Sequence, residues 1–278
     1  MRIQLNGEVI PSKDQWLYDW FGIPAFSPAV VRQAIGATPA GEDLELEINS
    51  VGGSVFAGFE IYCVLREAKC NTVAMVQSLA ASAASTVMVG CQQVVLSPVA
   101  QVMIHLPATT THGNQRDHRE SLQMLESITQ SILNGYQLRC GEKASRERLE
   151  ELMNSETWLP AQDAVALGLA DTIMVDGEEV DMAALPLSVV NAAGGGIRAL
   201  ASNTVHNDTA TLLAQYQQLV AAGVRPAADG HPVETPEPAA SLADSSTDNF
   251  VTPAGEAPAV SDDWRHEARL AIEKNRFL

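Results

Sequence analysis

A strand that runs into two glycines and then straight into a helix constrains this chain more than any other feature. Leu44-Glu45-Leu46-Glu47-Ile48 alternates apolar and acidic residues, the period of a half-buried strand. Val55, Phe56, Phe59, Tyr62 and Leu65 then recur at helical spacing, with Ser54 placed as an N-cap. Gly52 and Gly53 stand between the two patterns. Lacking Cβ atoms, they permit positive φ and let a second chain or a ligand approach the backbone. A tight turn would also account for them. The choice depends on what else the chain brings to this junction.

Around that junction the sequence alternates strands and helices. Arg2–Leu5 reads as an opening strand, and Pro28–Gly36 as a helix with Ser27 as its cap and Pro28 in its first turn. Thr72–Val76 is a strand, Ser82–Gly90 a short and almost wholly apolar helix, and Gln92–Leu96 and Gln101–His105 two strands split by Pro98. A long helix is expected from about Asn114 to Arg139, with Leu122, Leu125, Ile128, Ile132 and Tyr136 on one face. Helices over 145–155 and 161–168 and a strand at Asp171–Val175 complete the series. Such alternation predicts an α/β fold with a mostly parallel sheet flanked by helices.

Near Ala192-Ala193-Gly194 the character changes. Residues 1–190 are expected to form the folded domain, and 191–278 an Ala/Pro/Ser/acid-rich tail, mostly disordered. Two helical candidates interrupt the tail, at 209–223 and at the C-terminal end. The net charge of −17 argues against nucleic acid and against an anionic membrane surface as partners. The first residues lack the apolar core of a signal peptide, and no run is long and apolar enough to span a bilayer. Cys63, Cys70, Cys91 and Cys140 fit neither a CxxC pair nor a disulfide framework, so buried free thiols and a cytoplasmic location are expected. No phosphate loop, metal-ligand spacing or dinucleotide motif is present, so no metal and no cofactor is expected.

Three further stretches carry residues suited to chemistry. Ser82 precedes the apolar helix, where unpaired N–H groups and the positive dipole end stabilise developing negative charge. It could equally be a plain N-cap among small residues that permit close helix packing. His105 ends an apolar strand, which also suits a structural histidine. Glu156 and Asp163 lie near a helix start, where acids are common caps. Ser85 lies one turn inside the helix, a poorer place for a nucleophile than its mouth. His112 and His118 fall in or beyond a polar loop and are expected to be solvated, and His206, His231 and His266 lie in the tail.

Taken together and in this order, "INSVGGSVFAG", "LAASAAS", "VMIHLP" and "ETWLPAQDAVALGLAD" resemble the signature blocks of the Clp protease proteolytic subunit family (ClpP) over roughly residues 1–175. "AASAAS", the "ETW" block, "WLYDWFGI" and the acidic tail look more like its phage branch, the ClpP-related head maturation (prohead) proteases. Housekeeping members usually carry "AASMG" at the serine and proline in "NSPGG", where this chain has Ala83-Ala84 and Val51. The resemblance implies the ClpP/crotonase-like repeated ββα spiral with a long protruding helix.

It also implies Ser82 as nucleophile, His105 as general base, and N–H groups of Gly53 and Ala83 as the oxyanion hole. The family's acid is usually aspartate, and its position matches Glu156, with Asp163 as the alternative. On that reading a valine at Gly53 would leave the chain folded but crowd the substrate. The implied function is an ATP-independent serine endopeptidase, self-assembled into rings through the long helix. Its implied substrates are scaffold and capsid proteins of an assembling phage head in the host cytoplasm. The tail would then be a scaffold-like or capsid-docking extension. The alternatives are a non-enzymatic scaffold or assembly module of the same fold, or a housekeeping peptidase working with an AAA+ unfoldase. A signal-peptide-peptidase-like relative fits less well.

Overall fold

The structure, a computed structural model, describes residues 1–175, 178–180 and 209–221. In chain order the main elements are β1 (Arg2–Val9), α1 (Gln15–Phe21), β2 (Ala25–Phe26), α2 (Pro28–Ala37), β3 (Leu44–Gly53), α3 (Val55–Arg66), β4 (Thr72–Ala81), α4 (Ala83–Gly90), β5 (Gln93–Leu96) and β6 (Gln101–Ile104). Then come α5 (Gln115–Cys140), α6 (Arg146–Asn154), β7 (Thr157–Pro160), α7 (Ala161–Leu167), β8 (Thr172–Val175), β9 (Glu178–Val180) and α8 (Thr209–Ala221). The strands form one sheet in the order β2-β1-β3-β4-β5-β8-β9, with β6 and β7 branching from β4. Pairing is parallel except for β6–β7 and β8–β9. The α/β fold with a mostly parallel sheet is as the alternation implied.

The branch at β4 shapes everything that follows. Its first half, Val73–Val76, pairs with β5, and its second half, Leu79–Ala81, pairs with β6. Between Ile48 and Ser50 the register against β3 shifts, with the partner moving from Val76 to Ala80. Such an irregularity bends a strand and re-aims its end. β4 therefore reaches past the expected end at Val76 to Ala81, and β3 reaches past Ile48 to Gly53. The two glycines are the last residues of a strand rather than a loop after it. Ser54 caps α3 as expected, accepting the Ala57 N–H.

α4 is buried along its whole length, beneath α3 and against the sheet. Close packing requires small residues here, since a Cβ at Gly58 would lie 3.3 Å from Ala83 Cβ. Ile128, Ile132 and Tyr136 of α5 are buried, whereas Leu122 is 56% exposed, so the expected apolar face is core only in its second half. The first half of this capped helix protrudes. Its other end is fixed by Arg139, which donates to the carbonyls of Cys91 and Gln92 and pairs with Asp171. The Asp171 carboxylate in turn accepts the Val94 N–H.

Four elements were not legible from periodicity: α1, the two-residue β2, the four-residue β7 and the three-residue β9. The first tail candidate is helical, as α8, and buries Leu212 against Ile10, Leu17 and Tyr18. Tyr216 makes edge contacts with Trp16 and Trp20. A described part of the tail thus packs on the N-terminal elements, whereas the other tail candidate lies outside the described residues. Of the four thiols, all free, Cys91 and Cys140 are buried as expected, but Cys63 is exposed and Cys70 partly so.

The reason for glycine at position 53 needs correcting. A Cβ there would lie 2.3 Å from the Val9 carbonyl oxygen on β1, not against an approaching substrate, and φ is +145°. Gly53→Val should therefore destabilise the protein by about 3 kcal/mol or more rather than leave it well folded. Gly36→Ala, in open space on α2, should be neutral or stabilising. Urea midpoints of the two variants check this.

Candidate active site

Parallel pairing of β4 with β6 sets Ala81 beside Met103. Both strands end at the same edge, and the residues just beyond them, Ser82 and His105, meet there. Ser82 Oγ lies 2.7 Å from His105 Nε2. The serine occupies the N-cap position of α4, but its hydroxyl caps nothing. The plain-cap reading of Ser82 therefore fails, although the small-residue packing reading holds for Ala83.

Ser82 achieves this pose through its backbone. Its φ of 54° and ψ of −125° lie in neither the helical nor the extended region. Such a conformation costs about 1–3 kcal/mol and persists only where the surroundings over-determine it. They do so from both sides. The Ser82 N–H donates to Met103 O at 2.9 Å, and its carbonyl accepts the Ser85 N–H at 3.0 Å and the Ser85 hydroxyl at 2.5 Å. Gly52 closes the third side, because a Cβ on it would stand 2.6 Å from Ser82 Cβ. Of the glycine pair, Gly52 makes room for the serine and Gly53 for β1.

Among the described residues only one other non-glycine has positive φ, and it is Glu156, at 47°. It follows the C-cap of α6, a place where glycine usually supplies the left-handed turn. β7 then runs antiparallel to β6 with Thr157 opposite Ile104. One further step along that ladder sets Glu156 across from His105. Asp163 lies instead on α7, 7% exposed, and burial pushes its carboxyl above the usual range. That environment disfavours the charge that would support an imidazolium.

A cleft of about 580 Å³ opens at the pair, lined by Gly53, Ser82, Ala83 and His105 and by Phe56, Thr86, Leu125, Ile128 and Ile132. Ala83 is the first residue of α4, so its N–H belongs to the first turn, which lacks intrahelical acceptors. The structure thus brings Ser82, His105, Gly53 and Ala83 to one cleft, puts Glu156 beside it by register, and leaves Asp163 on a separate helix. His112 and His118 are exposed. Ser85 is fully buried, which suits no nucleophile. Among the described residues no three His, Cys, Asp or Glu side chains gather as metal ligands, and no helix is long and apolar enough to cross a membrane.

Sequence reasoning treated Ser85 as a rival and Tyr136 as plain core. They lie 2.7 Å apart, oxygen to oxygen, beneath Ser82. The adjacent hydroxyls of Ser85 and Thr86, one turn into an otherwise apolar helix, were the available signal.

Residues 31–177, just over half of the chain, match the family model described as Clp protease. The chain belongs to the Clp protease family. Three relatives bear the name ATP-dependent Clp protease proteolytic subunit. The one from Porphyromonas gingivalis is 26% identical over 136 residues, covering 48% of this chain and 60% of the relative. That from Mesostigma viride is 29% identical over 136 residues, 48% of this chain and 58% of the relative. That from Chlorella vulgaris is 27% identical over 144 residues, 51% of this chain and 71% of the relative. The chain thus spans less than two thirds of the length of the first two. β1, α1 and α8 lie outside the segment that matches the Clp protease model.

A left-handed glutamate costs about 1–2 kcal/mol relative to glycine, partly offset by glycine's greater unfolded-state entropy. If position 156 were only a helix terminus, glycine would serve there better. Glu156→Gly should therefore melt at the wild-type temperature or above it while losing whatever the carboxylate does at the site. Thermal melts beside activity assays of the same preparations check this.

Proposed function

We propose that this chain is a serine endopeptidase in which Ser82 attacks the scissile carbonyl and His105 takes its proton. The observation that carries the proposal is the 2.7 Å contact between Ser82 Oγ and His105 Nε2, made by a serine whose backbone is turned to present it. A serine hydroxyl is a weak nucleophile until an adjacent imidazole accepts its proton. In this reading Glu156 holds the imidazole tautomer and stabilises the imidazolium, supported by the β6–β7 register. The N–H groups of Gly53 and Ala83 receive the oxyanion, supported by the place of both residues in the lining of the cleft that holds Ser82 and His105. The peptidase step itself calls for no nucleotide.

Rings built through α5 follow from the same reading, supported by exposed Leu122 and Met124 on its protruding half. The substrates we propose are scaffold and capsid proteins of a maturing phage head. The "AASAAS" and "ETW" blocks, the "WLYDWFGI" segment and the acidic tail support that branch. A second reading has its own support, because the relatives above are named as subunits of ATP-dependent proteases. Co-expression separates them: cleavage of cognate scaffold without an unfoldase favours the first, and turnover of folded proteins only with an AAA+ partner favours the second.

A fluorophosphonate probe tests the peptidase itself. Wild type should be labelled and Ser82→Ala should not, with oligomeric state unchanged. Glu156→Gln should lower peptide hydrolysis by roughly 10⁴-fold, the size of effect seen when a triad carboxylate becomes an amide. Asp163→Asn should matter far less. Activity lost in Asp163→Asn but kept in Glu156→Gln would place the acid at 163, and full labelling of Ser82→Ala would refute the nucleophile.

A further inference from the structure

Beneath the nucleophile lies a hydrogen-bonded chain that the proposed mechanism does not use. The Ser85 hydroxyl donates to the Ser82 carbonyl at 2.5 Å. A hydroxyl has one proton, and this one is committed, so the 2.7 Å contact between Ser85 Oγ and the Tyr136 phenol must have tyrosine as donor. Ser85 is wholly buried and Tyr136 almost so. Burial raises the tyrosine's pKa, which keeps its proton in place as a donor. An alanine and a phenylalanine would fill the same space and impose no demand for buried hydrogen bonds. The polar pair therefore needs a reason beyond packing.

We propose that Tyr136 and Ser85 are positioning residues, a relay that pins the Ser82 carbonyl and so holds the turned backbone that aims Oγ at His105. The inference rests on the serine-peptidase reading of the site. Ser82 is anchored on its N-terminal side by the Met103 carbonyl and on its C-terminal side by Ser85. The first anchor belongs to the sheet. The second reaches, through Tyr136, into α5, 54 residues further along the chain. Hydrogen bonds in series polarise one another, so loss of the phenol proton weakens the Ser85–Ser82 bond it supports. A carbonyl held less firmly lets the peptide group relax toward ordinary φ, and the hydroxyl then leaves its base.

The test uses the full chain. Tyr136→Phe keeps the ring and removes only the donor. It should lower the fluorophosphonate labelling rate and kcat for peptide hydrolysis together, by roughly 3- to 10-fold, with KM unmoved and oligomeric state unchanged. Ser85→Ala should lose at least as much, and the double variant should be no slower than Ser85→Ala, because both act through one relay. Labelling of Tyr136→Phe at the wild-type rate would overturn the relay. So would a loss confined to KM, or losses that multiply in the double variant. A wild-type chain that resists labelling altogether would instead overturn the peptidase reading and the relay with it.

Discussion

The turned peptide at Ser82 is what the rest of the site depends on. With ordinary dihedrals, a serine at the head of α4 would fold its hydroxyl onto the helix N–H groups as a cap. At φ 54° and ψ −125° the hydroxyl instead faces His105. The cost, about 1–3 kcal/mol, is offset by groups on three sides: the Met103 carbonyl, the Ser85 hydroxyl and amide, and the space left by Gly52. Each belongs to a different element, so the pose requires the assembled fold. No local segment could hold it alone.

The fold supplies those elements through the branching of β4. Its early half lies with β5, and its late half turns to β6, which brings the ends of β4 and β6 together. β7 adds itself to the outer side of β6 and carries the turn at Glu156 to the same edge. α5 is then clamped at its C-terminal end by Arg139, which grips two carbonyls just before β5 and pairs with Asp171 before β8. Tyr136 sits one turn before that clamp. Its phenol meets the Ser85 hydroxyl at 2.7 Å.

Much of this was legible in the sequence because it is periodic. The alternation at Leu44–Ile48, the helical stripe from Val55 to Leu65 and the long helix from about Asn114 each appear in the residue pattern. The pairing of Ser82 with His105 was reached through resemblance of ordered blocks, since neither residue declares a role alone. What escaped had no periodic signal. β7 is too short to show alternation, and α1 is a two-turn helix whose apolar face is met partly by α8, about 200 residues away. The reason for Gly53 was misread because a local pattern cannot say which strand lies against a missing Cβ, here β1. The strain at Ser82 and Glu156 is invisible for the same reason: it is imposed by tertiary contacts against local preference.

The central claim is that a backbone turn, over-determined by its neighbours, presents Ser82 to His105 and to a pair of amides. A crystal structure of the full chain reacted with a peptide boronic acid tests it most directly. The claim predicts a boron–oxygen bond to Ser82 Oγ, with φ at Ser82 still positive, His105 within hydrogen-bonding distance, and the boronate oxygen facing the N–H groups of Gly53 and Ala83. A bond to any other serine, or an adduct at Ser82 whose φ has returned to negative values, would contradict it.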